Sequence, residues 1–225
     1  MNVDNNKFIY DMLAEEYQKR ILQKSSYEID FSKLVEYVLE VYYRVYSTMP
    51  RNVLELGPGA GEVVKEFSIR GIDTSALEIS HKMALLTQEN SPNTHIFEGD
   101  IINVEDITDG KFDIIFAGAF LHLFSMDQEK IVLEKIAKWL SAKSAFFMYT
   151  TLHEKSSEGF EIKSDYKTQI KRFRRRWKKT DLLSFLNEQG FEVVDYFIND
   201  EIDRNKTWIN IVSIKKRKTH KDSSL

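Results

Sequence analysis

The chain has 225 residues, 42 % of them hydrophobic and 30 % charged, with nine Gly, three Pro and no Cys. Such a composition fits one globular α/β domain with a buried core, and the lack of cysteine excludes disulfides, thiolate metal sites and a Cys nucleophile. The net charge of −3 hides an asymmetry, because residues 1–150 carry net −8 and residues 151–225 net +5. No apolar run reaches the roughly 18–20 residues that cross a bilayer. The polar N-terminus also lacks the apolar core of a secretory signal, so a cytoplasmic protein that binds neither membrane nor metal is expected.

In chain order, Phe8, Met12, Leu13, Tyr17, Ile21 and Leu22 recur at helical spacing, and residues 31–46 form a second amphipathic pattern that ends before Pro50. Residues 1–50 are therefore read as an N-terminal helical cap. A strand is predicted over 52–56, then a glycine turn and a helix near 61–69. Next come a strand over 75–79, a helix over 81–89 and a strand over 94–97. Residues 112–117 are apolar and read as buried, with a helix over 128–140 and a strand over 145–150. A helix over 180–189 has Thr180 or Asp181 as its cap and Gly190 as its stop, and strands over 191–197 and 208–214 follow. The alternation implies a mainly parallel sheet covered by helices on both faces. The last two strands, joined by a loop, should pair antiparallel. The domain is placed at 51–217, with a flexible tail at 218–225.

The first strand runs into ELGPGAG, residues 55–61. Gly57, Gly59 and Gly61 let the backbone turn sharply and approach a ligand with no Cβ in the way, at the carboxyl end of a parallel strand where nucleotide-like ligands bind. The spacing fits neither a dinucleotide fingerprint, whose third glycine would fall at Glu62, nor a P-loop. A carboxylate there disfavours a pyrophosphate and suits a cationic ligand without phosphate. Glu78 closes the second strand about 20 residues later, where a carboxylate can accept from both ribose hydroxyls. Asp73 lies at the wrong end of that strand. Asp100 follows the third strand and can accept from an adenine amino group, or cap a turn instead.

With these residues the chain resembles the class I S-adenosylmethionine-dependent methyltransferase superfamily, of the small-molecule type. The resemblance runs over about residues 8–214. ELGPGAG is similar to the family's glycine loop, and SIRGIDTSALEISHKM to its second-strand motif. EGDI and FDIIFAGAFLHLF match the third and fourth, and TDLLSFLNEQGFEVVDYF the late helix and sixth strand. The resemblance implies a Rossmann-like seven-stranded sheet, mostly parallel with the last strand antiparallel, helices on both faces and an N-terminal helical cap. It implies that S-adenosylmethionine is the cofactor and S-adenosylhomocysteine the product. Glu55, Gly57, Pro58, Gly59 and Gly61 would contact its methionine part, and Glu78 with Ile79 its ribose. Asp100 and Ile101 would flank the adenine, Met83 would supply an apolar contact and Ala117 would line the methionine side. YDMLAEEY resembles a segment that closes over the cofactor, which adds Tyr10 and Tyr17.

Three features concern the acceptor. His122 follows the fourth strand and is a candidate general base, with a packing role as the alternative. The run KRFRRRWKK, 171–179, holds seven Lys/Arg in nine positions. It reads as an anion site using Arg174 and Trp177, or as an amphipathic segment whose Ile170, Phe173 and Trp177 pack inward at helical spacing. Residues 151–170 offer His153, Asp165 and Tyr166 to the acceptor, or form an ordinary loop and helix. The expected activity is methyl transfer to oxygen or nitrogen of a small molecule, anionic if the basic run receives it. Alternatives are an RNA or peptide/protein methyltransferase using 171–179, and a non-catalytic cofactor-binding scaffold. The sequence sets no oligomeric state.

Overall fold

The structure is a computed structural model in which residues 4–23, 30–107, 111–162 and 171–216 are described. Two helices open it, α1 (Asp4–Gln23) and α2 (Phe31–Tyr46). There follow β1 (Asn52–Leu56), α3 (Glu62–Ser68), β2 (Asp73–Glu78), α4 (His81–Asn90), β3 (His95–Glu98) and β4 (Phe112–Gly118). After a 3-10 turn (Leu121–Leu123) come α5 (Met126–Trp139), β5 (Leu140–Leu152), β6 (Ser157–Ile162) and β7 (Lys171–Arg176). The chain continues with α6 (Lys179–Glu188), β8 (Phe191–Glu201) and β9 (Lys206–Lys215).

Seven strands form one sheet in the order β3-β2-β1-β4-β5-β9-β8. The first five are parallel, and β9 runs antiparallel between β5 and β8, as the alternation and the short last connection predict. Both faces are covered. Val132, Leu133 and Ile136 of α5 and Leu182, Phe185 and Leu186 of α6 pack with Leu54, Leu56 and Ile115 on one side. Leu34, Val35 and Val38 of α2 and Val63 and Phe67 of α3 pack with Val53, Phe116 and Phe147 on the other. Thus α2 forms part of the helical layer on the sheet, whereas α1 sits against α4. Among the described residues no helix is long and apolar enough to cross a membrane.

The chain departs from the sequence reading at three places. The basic run is a strand: β7 pairs antiparallel with β6, so 157–162 is also strand and not loop or helix. Helical spacing would have set several arginines one turn apart, where like charges repel. The hairpin instead lets Arg175 and Arg176 reach Glu158 and Glu161 across the strands. Ile170, Asp165 and Tyr166 lie outside the described residues. Second, α6 starts at Lys179, so Thr180 and Asp181 fall inside its first turn and Lys178 is a cap without a side-chain bond. The Lys178 amide instead donates to Ser156 Oγ, 3.0 Å away, and that hydroxyl donates to Asp181 at 2.6 Å. Third, α5 begins at Met126 rather than 128, because Ser125 and Gln128 form a capping box.

The hairpin is fastened to α5 through a buried polar cluster. Arg175 donates to Glu158 at 2.8 Å and lies 4.3 Å from the centre of the Trp177 ring. The Trp177 indole N–H donates to Glu129 Oε1 at 3.3 Å. Glu129 is fully buried, and that burial pushes its carboxyl up to about 8 against the pull of the indole and Arg175. The folded state therefore favours the protonated form. Its contribution to stability is full below the ordinary value of 4.5 and is lost as pH rises through about 8. Glu129→Gln, which keeps an oxygen for the indole, should match wild type near pH 5 and exceed it near pH 9 by on the order of a few kcal/mol. Urea unfolding at several pH values tests this, and parallel pH profiles for the two proteins would refute it.

Candidate active site at the carboxyl edge of the sheet

The glycine turn joins β1 to α3 at the edge where the parallel strands end. Gly57, Gly59 and Gly61 have φ of 65°, 60° and 82°, the left-handed region that side chains resist. The Gly57 amide donates to the Leu77 carbonyl at 2.9 Å, which ties the turn to β2. From α4, Thr87 Oγ1 donates to the Gly59 carbonyl and Asn90 Nδ2 to the Ala60 carbonyl, at 3.1 and 2.9 Å. A Cβ on Gly57 would meet the Phe120 ring at 2.8 Å, and one on Gly61 would meet the Thr87 backbone at 3.1 Å. A Cβ on Gly59 would find nothing nearer than 4.0 Å, where Met83 and Tyr17 stand. The floor of the turn is closely packed, and its middle is open toward α1 and α4.

Two acids flank the turn. Glu55 is 4 % exposed and accepts from the Val64 amide at 3.1 Å, so one oxygen caps the start of α3. Burial pushes its carboxyl well above the ordinary value, and Glu62 and Glu78 push it further. Glu78 is 5 % exposed and accepts from the Ser80 amide at 2.8 Å. Burial raises it to about 7, with Asp11 and Glu98 adding to the rise. The charged groups that act most on either carboxyl are themselves acids. Ser80 donates to Asp11 Oδ1 at 2.5 Å and accepts from the Met83 amide at 3.2 Å, so α1 is tied to the end of β2 beside Glu78.

The remaining predicted residues divide by position. Met83, Ala60 and Ala14 pack together with Tyr10 and Tyr17 at their margin, which places α1 over the open side of the turn. Ile79 is half-buried behind Glu78, and Pro58 accepts the Gly61 amide at 2.9 Å. Asp100 accepts from the Ile102 amide and from Asn103 Nδ2, at 3.0 and 2.7 Å, so it holds a turn, and burial raises its carboxyl. Ile101 and Ala117 are buried in the core under this edge. His122 sits in the 3-10 turn just after β4, and β7 with Arg174 runs beside that turn. Trp177 is not brought to the site: it is 2 % exposed, stacks on Phe185 and gives its N–H to Glu129. Tyr166 lies outside the described residues.

Two residues escaped the sequence reading. Phe120 covers Gly57 with its ring. Tyr149, paired with Gly118, is buried at the end of β5, where Glu55 and Glu62 both act on its phenol after burial has raised it. A Cβ on Gly118 would meet that ring at 2.6 Å, so glycine at 118 makes room for it. An aromatic residue two positions past the end of β4 was the available signal for Phe120. The partner of Tyr149 depends on register and carries no local signal.

Comparison with known proteins points to methyltransferases. Residues 53–143 match a family described as a methyltransferase domain. An uncharacterized methyltransferase of Oceanobacillus iheyensis is 25 % identical over 124 residues, 55 % of this chain and 57 % of that protein. The chain thus aligns with little more than half the length of this curated relative. Among solved structures, an S-adenosylmethionine-dependent methyltransferase of Clostridium acetobutylicum superposes with a TM-score of 0.68 at 15 % identity, covering 93 % of this chain and 100 % of its own. The 1,6-didemethyltoxoflavin-N1-methyltransferase of Burkholderia thailandensis does so with 0.67 at 14 %, covering 95 % and 91 %. At these identities the structural likeness shows the fold.

The glycines should differ in what they tolerate. All three lose roughly 1–2 kcal/mol to left-handed strain on becoming alanine. Gly61→Ala should cost about 1 kcal/mol or more beyond Gly59→Ala, because α4 backbone must move. Gly57→Ala should be partly rescued by Phe120→Leu. Urea unfolding of the single and double variants checks both orders, and equal losses at positions 59 and 61 would contradict the packing.

Proposed function

We propose that this chain, which belongs to the class I S-adenosylmethionine-dependent methyltransferase superfamily, carries the methyl group of S-adenosylmethionine to an oxygen or nitrogen of a small-molecule acceptor. The observation that carries the reading is the pair of buried carboxyls at the ends of β1 and β2, each with acids as its leading charged neighbours, beside an open glycine turn. A phosphate-bearing nucleotide would meet Glu55, Glu62 and Glu78 there and would disfavour their ionisation further, with no cation among them to receive it. A ligand with ribose hydroxyls and positive charge is what these groups favour. The left-handed glycines give it backbone at close range.

On this reading Glu78 accepts the ribose hydroxyls with the oxygen that Ser80 does not engage. Asp100 and Ile101 stand beside the base, and Met83, Tyr10 and Tyr17 close the open side of the turn. Glu55 holds the start of α3 in register, and a cation bound beside it would favour its anionic form. Bound S-adenosylmethionine supplies a methyl group on a cationic sulfur. The protein's own task is to hold an acceptor atom in line with that group, to exclude water and to receive a proton. Positioning alone can supply several kcal/mol of barrier lowering. His122, in the turn after β4, would take the proton from a hydroxyl or amine. The Burkholderia thailandensis neighbour, named for N1 methylation of a small heterocycle, supports an acceptor of this size.

The state of Glu78 makes the proposal testable by pH. In the free protein its carboxyl titrates at about 7, and only the anion accepts from two hydroxyls. Affinity for S-adenosylhomocysteine should be flat above pH 7 and fall by about tenfold for each unit below it. Glu78→Gln should bind weakly and without that slope. Titration calorimetry over this range decides the matter. Absence of binding by folded wild type overturns the methyl-transfer reading, and a pH-independent wild-type affinity overturns the role of Glu78.

A further inference from the structure

The β6–β7 hairpin has two unlike faces. Alternation places Lys171, Phe173 and Arg175 with Glu158, Phe160 and Ile162 on one of them, and Arg172, Arg174 and Arg176 with Ser157, Gly159 and Glu161 on the other. On the first face Arg175 pairs with Glu158 through Nη1 while its Nε is buried without a partner, and Phe160 meets Phe173 edge-on. The second carries three arginines against one acid, and Glu161 pairs with Arg176. Arg172 is 2 % exposed, and Arg174 Nη1 is buried with no hydrogen-bond partner. Directly across from Arg174 is Gly159, where an added Cβ would meet nothing within 4 Å. A buried guanidinium nitrogen without an acceptor is costly, and glycine at 159 leaves the position across the strands without a side chain to supply one.

This face belongs to the same edge as the glycine turn. The hairpin joins the end of β5, because Leu152 bridges Trp177 and the His153 amide donates to the Trp177 carbonyl at 2.9 Å. Arg176 and Glu161 both act on His153, whose imidazole is lowered first by burial and then by Arg176. The arginine face therefore lies by the end of β5, and β7 runs beside the turn that carries His122.

We propose that this face is a subsite for a small anionic group, a carboxylate or a phosphate, anchored by Arg174 in the space over Gly159. That the anion is part of the acceptor rests on the methyl-transfer reading; the anion subsite itself does not. Guanidinium suits either group, because its fork matches two oxygens at once. Burial of Arg172 and of the Arg174 nitrogen favours a small anion over an RNA backbone, which needs an exposed track of charge.

The test titrates the full chain with inorganic phosphate and, separately, with benzoate, following the backbone amides of Gly159 and Arg174 by NMR. Wild type should bind one or both saturably, and the tighter of the two identifies the anion class. Arg174→Gln should weaken binding at least about tenfold, as for loss of a charged hydrogen bond. Gly159→Asp sets a carboxylate across from Arg174 and should weaken binding equally without touching the arginine. Urea midpoints verify that both variants fold. No saturable shift in wild type, or undiminished binding in both variants, overturns the subsite. So does a response only to an RNA oligonucleotide with steep salt dependence. A parallel titration with S-adenosylhomocysteine keeps the two ideas apart, because its failure removes the acceptor interpretation and leaves the anion result standing.

Discussion

Two carboxyl groups are buried at the ends of neighbouring strands with acids as the charged groups that act on them most, and the site is organised around that cost. Glu55 lies opposite Ala76 in the β1–β2 register, so its side chain and the Glu78 that ends β2 arrive at one edge. Each has a backbone amide as its partner, Val64 for Glu55 and Ser80 for Glu78. Those amides belong to the starts of α3 and α4, where unpaired N–H groups and the helix dipole favour negative charge. The protein thus uses the helix ends that a parallel α/β sheet generates to hold acid where desolvation would otherwise neutralise it. Burial still wins in the empty site, and the Glu78 carboxyl stands at about 7. Its remaining hydrogen-bonding capacity is what makes the edge receptive.

The turn between the two acids must then be narrow and firm. Left-handed φ at Gly57, Gly59 and Gly61 reverses the chain, while bonds from Leu77, Thr87 and Asn90 fix it to β2 and α4. Phe120 reaches over from the end of β4 to close the floor. The Asp11–Ser80 bond then sets α1 against the same corner. One strand order therefore recruits four elements to a single corner, and none of them reaches it alone.

Much of this was legible in the sequence, because it is written in local signals. Alternating apolar runs gave the strands, ELGPGAG gave the turn and a glutamate at the end of the second strand gave the second acid. The hairpin was not legible. Phe173 and Trp177 stand four apart, which reads as a helix face, yet one lies on a strand and the other just beyond it, packed on Phe185. The strand brings Arg175 and Arg176 to Glu158 and Glu161 of β6, and contacts made across strands leave no local signal in the sequence. The cap of α6 failed for a similar reason. Thr180 and Asp181 both favour a helix start, but Ser156, from before the hairpin, takes the Lys178 amide. Tyr149 was hidden because its neighbour is Gly118 on another strand.

The uneven charge of the chain acquires a spatial meaning in the fold. The net −8 of the first 150 residues includes the acids that surround the glycine turn, and the net +5 of the remainder includes the arginines of the hairpin. Both groups meet the carboxyl edge of the same sheet, acid beyond β1 and β2 and base beyond β5. A cationic ligand and an anionic one would each be drawn to its own side and repelled from the other, since like charges in a partly desolvated cleft cost several kcal/mol. The two strands between those sides, β4 and β5, end in Gly118 and Leu152, with His122 and Tyr149 near their tips.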